Sequence, residues 1–524
     1  MGKRFTLYIT IFLLIGIGFA PVTSVFIRSL FVSGELSLKH YGALFQSGRE
    51  WRLLFNSLTL AGATTLITVL SGVPLGTLLT KTDLPLKRLF TILFIVPLII
   101  PSYILAIAWF YCLGRSGFVA RVFNESAGIL TSNFLFSFPG TLFVMVSVLL
   151  PIVIILTMTY LRMVNPNLEE AALLHGSWPI ALRKVTLPLI SPGIALAALI
   201  VFILTLGEFG VPSSLRFDVY PVESFTQFSA FYDFNTATAA AIPLGIITFI
   251  VLIVERLFLR NKTFTFRATG SEQTMVMAPL GKAKPFCMAA VSILVFILVI
   301  VPLCVLLYKS VSFSAYTEAF IRSTDSIIRS LVYASVGATC LVVFGFFLGY
   351  LLEHKATRLP YAADSIAIFL FALPGVVTGI GLSGLWNTPG TNFIYASMGI
   401  IIFGYIAQYT ALGERIMAAT FSHIPRSMEE AAQNVGAGWF RRLSGILIPL
   451  AKRGMVATWL ICFIFCLRDI GITMTVYPPA HDTLPVRIFT LMANSPEDVI
   501  SALCVIMIMI TLLPLGGLGL VRKI

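Results

Sequence analysis

Two stretches of this sequence carry the same charged, alanine-rich segment inside an otherwise apolar chain. The first reads NPNLEEAALLHGSWPIALRKVTLPLISPG over residues 165–193, and the second reads HIPRSMEEAAQNVGAGWFRRLSGILIPLAKRG over residues 423–454. In each stretch two glutamates and two alanines precede a glycine, and a basic pair and a proline follow. Glu170 and Glu430 occupy matching positions 260 residues apart. The repetition predicts a chain built from two copies of one unit.

The residues around these stretches are those of a membrane protein. Of 524 residues, 58% are apolar and only 11% are charged, whereas about 25% are charged in an ordinary soluble domain. Apolar runs of about 20 residues recur, each long enough to cross a bilayer as a helix, and the alternation typical of membrane barrels is absent. We therefore predict an all-α polytopic membrane protein with twelve transmembrane helices. The predicted spans are 5–27, 54–80, 89–113, 140–162, 190–212, 238–259, 286–308, 328–352, 362–386, 393–414, 453–474 and 498–521.

The basic residues predict how these spans are oriented. About two thirds of the 36 Lys and Arg residues fall on the side of the membrane that holds both termini. Because basic residues are enriched in cytoplasmic loops, both termini are expected in the cytoplasm. The same distribution explains most of the net charge of +13, so nucleic acid is not an expected partner. The apolar run over 5–27 is too long for the core of a cleaved signal and is predicted to remain as the first span.

Further matches extend the repeat over the whole chain. They are Ser57 with Ser330, Pro97 with Pro374, Trp109 with Trp386, LGEFG (206–210) with LRDIG (467–471), and PVESFT (221–226) with PVRIFT (485–490). We predict a first repeat over 1–259, a cytoplasmic linker over 260–285 and a second repeat over 286–524. Each repeat holds six spans, so both enter the membrane in the same orientation. A pseudo-two-fold axis along the membrane normal, with a pathway between the halves, is expected.

The two charged stretches predict short helix–turn–helix segments at the membrane surface. Asn167 and Ser427 are expected as N-caps, because Glu170 and Glu430 follow three residues later at the capping-box spacing. Gly176 and Gly436 stand where each helix is expected to stop, since glycine readily adopts a positive φ. The glutamates could simply cap helices. Two copies on one side of the membrane instead favour a pair of rigid contact points for a two-fold partner.

These residues resemble the EAA loop of ABC importer permeases. The loops cover about 165–188 and about 424–449, and the first is one residue shorter between its glycine and its proline. The resemblance covers the whole chain as two fused copies and implies a type I importer permease in the bacterial inner membrane. It implies that each loop couples to an ATPase subunit through the residues Glu170, Ala171, Ala172, Gly176, Glu430, Ala431, Ala432 and Gly436.

The resemblance also implies partners. The expected ones are a homodimer of a cytoplasmic ABC ATPase, an extracytoplasmic substrate-binding protein and membrane lipid. The chain lacks the G-x-x-x-x-G-K-[ST] phosphate loop, so no cofactor is expected on it. ATP and Mg would be used by the partner ATPase, and this chain is not expected to be an enzyme.

The substrate is indicated only by similarity within this group. The fused arrangement, GEFGVP in the fifth span and the TLPV segment after the eleventh span, at 483–486, are similar to iron(III) importer permeases. Relatives of that group carry 2-aminoethylphosphonate, thiamine or polyamines, which remain alternatives. An ion-coupled secondary transporter is disfavoured by the EAA loops and the parallel repeat, and a membrane-embedded enzyme by the lack of a catalytic motif.

Charged residues inside spans are costly and indicate function by default. Glu208 and Asp469 occupy matching positions near the outer ends of the fifth and eleventh spans, and Arg468 neighbours Asp469. We predict that these three residues belong to the substrate pathway or an outer gate, while a satisfied contact between helices is the alternative. No cluster of histidines, tyrosines or carboxylates predicts an iron site, so capture is expected to belong to the separate binding protein.

Overall fold

The structure, a computed structural model, is built almost entirely from helices. It describes residues 2–32, 35–36, 42, 46–231, 234–260, 276–354 and 359–521. Residues 261–275 of the predicted linker therefore lie outside the described residues. A short antiparallel pair of strands, Phe31–Val32 with Glu35–Leu36, follows the first helices. The all-α fold predicted from the apolar runs is confirmed.

The helices before residue 261 begin with a span that contains a π-helical turn. They are Gly2–Leu14, Ile15–Phe19 (π), Ala20–Arg28, Gly48–Lys81, Lys87–Ile99, Ser102–Leu113, Phe118–Val122, Glu125–Leu135, Phe138–Met163, Pro166–Leu174, Trp178–Ala181, Leu182–Thr186 (π), Leu187–Leu206, Gly210–Ser214, Tyr220–Ser229 and Phe234–Arg260.

The helices after residue 275 follow a similar order. They are Gly281–Ala283 (3₁₀), Lys284–Val295, Phe296–Ile300 (π), Val301–Lys309, Phe313–His354, Leu359–Ala372, Gly375–Trp386, Asn392–Tyr395, Met398–Ser422, Arg426–Asn434, Trp439–Arg442, Leu443–Leu447 (π), Ile448–Arg468, Thr473–Val476, Leu484–Leu491 and Glu497–Val521.

Within the described ranges, ten helices are long and apolar enough to cross a membrane, or eleven if one bent pair counts as a span. The bent pair is Tyr361–Ala372 with Gly375–Trp386, which meet at 108°. The predicted span 393–414 is a continuous helix, Met398–Ser422, that does not belong to this set. Its sequence includes Gln408, Glu414 and Arg415, which lower its apolar character. The twelve predicted spans therefore overstate the number that the apolar criterion supports.

Four predicted spans are interrupted rather than continuous. The spans predicted at 89–113 and 362–386 break before Ser102 and Gly375, where Pro101 and Pro374 take an extended ψ of 134°. A proline has no N–H to continue the preceding helix, and it sits well just before a new one. The spans predicted at 190–212 and 453–474 stop at Leu206 and Arg468, and short helices start again at Gly210 and Thr473.

The two breaks at proline correct the alignment of the repeat. Pro101, and not Pro97, has the same backbone conformation and position as Pro374. The resulting offset of 273 residues is also the offset between Ser57 and Ser330. Pairing Pro97 with Pro374, or Trp109 with Trp386, is therefore wrong by four residues.

The chain forms two compact units that do not follow the two halves of the sequence. One contains Met1–Trp51, Tyr220–Ile246 and Ser310–Ile524, and the other contains Arg52–Val219 and Ile247–Lys309. In the first unit, Leu14 of the first span packs with Leu370 and Ile406 of the second copy. In the other unit, Val295 of the seventh span packs in a cluster that includes Leu75. Each copy thus completes its apolar core with the first span of the other copy.

Candidate functional site: the two EAA loops

The first helix of the first loop is capped by a different residue from the one predicted. It runs over Pro166–Leu174, and the side chain of Asn165 accepts a hydrogen bond from the backbone N–H of Asn167 at 3.0 Å. Pro166 occupies the first helical position, where its fixed φ is favourable. Asn167 therefore lies inside the helix and is not its cap.

The second loop starts in the same way without a side-chain cap. Its first helix runs over Arg426–Asn434 from Pro425, which has an extended conformation. Ser427 lies inside the helix rather than at its cap. Because both predicted caps are wrong, neither Glu170 nor Glu430 completes a capping box, and the capping interpretation of these glutamates loses its geometric basis.

The two loops end their first helix differently. In the second loop Gly436 has φ +82°, and the N–H groups of Gly436 and Ala437 donate to the carbonyls of Gln433 and Ala432, both at 3.0 Å. This pattern of bonds is a Schellman motif, which needs a left-handed residue after the helix. Gly176 has no positive φ, so the predicted glycine conformation is found in only one loop.

The first loop is one residue shorter than the second, and the difference lies in the turn between its two helical segments. Three residues, 175–177, separate its two helical segments, whereas four residues, 435–438, do so in the second loop. The segments that follow have equal lengths, with four α-helical residues and then five π-helical residues in each copy. The second segments of the two loops are therefore equivalent despite the deletion.

The predicted contact residues lie mostly on the surface of these helices. Glu170, Ala171, Glu430 and Ala431 are exposed, and Ala172 and Ala432 are half-buried. Each loop thus presents one carboxylate beside small side chains, which allow another protein to approach the helix backbone closely.

The glutamate that precedes each of these exposed residues is buried, which the sequence analysis missed. Glu169 is 0% exposed and forms an ion pair with Lys81, whose side chain is 1% exposed, at 2.6 Å between Oε2 and Nζ. Thr186 Oγ1 donates a hydrogen bond to its other oxygen at 3.0 Å. Lys81 is the last residue of the 34-residue helix Gly48–Lys81. Glu169 therefore ties the loop both to that helix and to the segment that re-enters the apolar region.

Glu429 occupies the same position in the second loop with different partners. Tyr350 donates its hydroxyl to the carboxylate, at 2.9 Å from each oxygen. His354 Nε2 lies 3.3 Å from Oε2, and Arg442 Nη1 lies 3.4 Å from Oε1. His354 is the last residue of the 42-residue helix Phe313–His354, and Tyr350 lies about one turn before it. At the offset of 273 residues, His354 is the counterpart of Lys81, and this match is the signal in the sequence that could have revealed both pairs.

The end of the predicted linker is fastened beside Lys81. The N–H of Ala278 donates to the Lys81 carbonyl at 2.7 Å, and the N–H of Leu280 donates to Asp83 at 2.9 Å. Lys284 lies 3.0 Å from the other Asp83 oxygen, with both side chains about two-fifths exposed. The hydrogen bond from Leu280, followed by that from Lys284, holds the pKa of Asp83 below its ordinary value.

Glu208 lies at a helix break, in the gap between Leu187–Leu206 and Gly210–Ser214. Its Oε1 accepts hydrogen bonds from Ser102 at 2.7 Å and from the backbone N–H groups of Gly210 at 2.9 Å and Val211 at 3.3 Å. The side chain is half-buried. The contacts described for this carboxylate converge on Oε1, and Oε2 is the oxygen that could meet a further ligand.

Asp469 lies at the equivalent break, but both of its carboxylate oxygens accept hydrogen bonds. It is 8% exposed. Tyr409 donates to Oδ2 at 2.7 Å, while the backbone N–H and hydroxyl of Thr473 donate to Oδ1 at 3.0 and 2.8 Å. Arg468 lies over the ring of Phe465, with 5.2 Å between the guanidinium carbon and the ring centroid. The two acids are thus alike in position and different in how far their oxygens are engaged.

Comparison with known proteins identifies the family. Residues 72–264 and 342–518 each match the binding-protein-dependent transport system inner membrane component family. The chain belongs to this family. The double match confirms two fused copies of an ABC importer permease, a component of a binding-protein-dependent transport system, and the many apolar helices agree with a multi-pass membrane protein.

Relatives of this permease are known with several substrates. It is 23% identical to the Fe(3+)-transport system permease protein of Haemophilus influenzae over 93% of both chains. It is 22% identical to the ferric transport system permease protein of Actinobacillus pleuropneumoniae, over 86% of this chain and 68% of the relative. A spermidine/putrescine transport system permease protein of Haemophilus influenzae is 26% identical over 39% of this chain and 79% of the relative.

Proposed function

We propose that this permease imports iron(III), moving it inward between the two copies by alternating access driven by a separate ATPase. The observation that carries this proposal is the similarity over most of the chain to two permeases named for ferric iron transport. The similarities to polyamine and 2-aminoethylphosphonate permeases cover less than half of the chain. Polyamine, 2-aminoethylphosphonate and thiamine are therefore the alternative substrates.

The two EAA loops are proposed as the contacts with a homodimer of ABC ATPase subunits. Both loops would face the cytoplasm together with the termini, as the distribution of Lys and Arg indicates. The exposed Glu170 and Glu430 would meet the ATPase, which would bind ATP and Mg, and this chain would have no enzymatic activity of its own. An extracytoplasmic binding protein would deliver the iron on the opposite side.

Uptake of radiolabelled iron(III) tests the substrate. Cells that lack this gene should lose ATP-dependent uptake, and expression of the chain should restore it. Unchanged uptake in the deletion strain at low external iron, with no second importer induced, would contradict the iron assignment. The same strains would then be tested with 2-aminoethylphosphonate, thiamine and spermidine.

The two glycines offer a matched test of the coupling role. Gly436→Ala should weaken ATPase association about fivefold or more, because a left-handed conformation costs roughly 1–2 kcal/mol in a residue with a Cβ. Gly176→Ala should have a smaller effect, since its φ is not positive and the nearest atom to an added Cβ is the Cγ2 methyl of Ile180, at 3.3 Å. Co-purification of the ATPase with each variant measures the difference. Equal effects of the two changes would contradict the proposal that the turn geometry matters.

The two carboxylates at the helix breaks are expected to respond differently when each is replaced by its amide. We propose Glu208 as a pathway residue for the cation and Asp469, with Arg468 beside it, as a structural part of the outer gate. Glu208→Gln should lower the rate of iron uptake several-fold at a normal level of folded protein. Asp469→Asn should lower the amount of folded protein, because an amide nitrogen would replace one of the accepting oxygens. Uptake rates normalised to membrane-inserted protein separate the two effects, and a structural loss in Glu208→Gln would contradict its pathway role.

A further inference from the structure

The buried glutamates Glu169 and Glu429 have no role in the function proposed so far. In each loop the neighbouring glutamate faces outward and can contact a partner protein, whereas these two face inward. Burying a carboxylate is costly unless charged or hydrogen-bonding groups compensate it. Both copies nevertheless bury one at the same point, directly before the exposed glutamate of the loop.

In the first copy, Glu169 connects three elements of one unit. Its carboxylate bonds Lys81 at the end of the long helix Gly48–Lys81 and Thr186 in the segment that leads into the next span. The contact with Lys81, at 2.6 Å, has the length of a strong charge-assisted hydrogen bond. A displacement of the helix Pro166–Leu174 must therefore either move the end of the long helix or break a fully buried ion pair.

In the second copy, the same connection is made with other chemistry. Tyr350 and His354 of the long helix Phe313–His354 and Arg442 of the second loop segment surround Glu429. His354 takes the place of Lys81 at the offset of 273 residues. Leu447 takes the place of Thr186 at the offset of 261 residues that applies after the turn of each loop. The partners have changed while the connected elements have not, so the link between loop and long helix is the common feature of the two copies.

A long helix is a suitable element to receive such a displacement. The helix Gly48–Lys81 has 34 residues and, at 1.5 Å per residue, is about 50 Å long. It carries the apolar cluster of Leu75 and Leu79 near the end that Glu169 holds. Both leucines lie between Pro74, which interrupts the hydrogen bonding inside this helix, and Lys81. Motion delivered at Lys81 would therefore reach the packed core of the unit within about two helical turns, without crossing the proline.

We infer that Glu169 and Glu429 are positioning residues that transmit movement of each EAA loop to the long helix of its own copy. The inference rests on the proposed coupling to an ATPase. It separates two tasks within one pair of adjacent residues, because the exposed glutamate contacts the partner and the buried one connects the loop to the membrane helices. A residue that merely supports the fold would affect ATP hydrolysis and uptake equally when it is replaced.

The test uses the complete transporter in proteoliposomes, with its ATPase and binding protein, and measures ATP hydrolysis and uptake together. K81Q/E169Q removes both charges at once, so no buried charge is left without a partner. We expect its ATP hydrolysis to stay within about twofold of wild type while uptake per ATP falls roughly fivefold or more, the usual size of a coupling between sites. The exchanged pair K81E/E169K should recover part of the loss. D83N/K284Q, which neutralises the exposed pair nearby, should leave the ratio unchanged.

Each outcome decides the inference. Parallel loss of hydrolysis and uptake in K81Q/E169Q, in proportion to folded complex, would show a purely structural role and overturn it. Unchanged uptake per ATP would overturn it as well. Absence of ATP-dependent uptake in the wild-type complex would overturn the proposed function and this inference with it. That result differs from failure of the inference alone, in which the wild-type complex transports and only the comparison with K81Q/E169Q fails.

Discussion

Replacing Lys81 by methionine is expected to lower the apparent free energy of unfolding of the detergent-solubilised protein by about 3–5 kcal/mol. The reason is that Glu169 would remain buried without the cation that lies 2.6 Å away in the wild type. Breaking one member of a buried pair is far more costly than removing both, so K81M/E169L should recover most of the loss. Denaturant unfolding followed by tryptophan fluorescence measures all three proteins.

A matched control lies in the same part of the chain. Lys284 and Asp83 form an ion pair at 3.0 Å, but their side chains are 41% and 42% exposed. K284M should therefore change the apparent free energy of unfolding by less than about 1 kcal/mol. If K81M were no more destabilising than K284M, Glu169 would have another source of compensation, and the ion pair would not be what holds the first loop to its long helix.

The membrane architecture can be predicted from the sequence because the patterns that indicate it are long and lie within continuous segments. Runs of about 20 apolar residues indicate spans, and the repeated loops place the two copies. The breaks at Pro101 and Pro374 were missed because proline is tolerated inside membrane helices when neighbours satisfy the freed groups. The alignment error of four residues has a similar cause. Four residues are about one helical turn, so the apolar pattern is nearly unchanged by the shift.

The sequence alone does not show which face of each loop helix is buried. Adjacent glutamates point about 100° apart on a helix of 3.6 residues per turn, and local composition does not decide which of them faces inward. The choice depends on Lys81, which lies 88 residues before Glu169, and on Tyr350 and His354 in the second copy. Such contacts become visible only when the long helices are packed against the loops.

We expect the double change E170K/E430K to abolish ATP-dependent uptake while the chain still folds and inserts. Both side chains are exposed, so the fold should tolerate the reversal. The glutamates are proposed to meet the ATPase, and a carboxylate at such a contact is best matched by basic groups. Reversal would then place like charges together and cost roughly 2 kcal/mol or more per loop, about thirtyfold each in affinity. Co-purification of the ATPase and uptake by proteoliposomes are the measurements.

E125K, at an exposed glutamate in the first turn of Glu125–Leu135, is the control and should bind the ATPase normally. Because the buried Glu169 and Glu429 are untouched, loss of ATPase binding in E170K/E430K with unchanged unfolding would place the partner contact on the exposed face of the loops. Normal binding and uptake in this variant would contradict the coupling role assigned to that face.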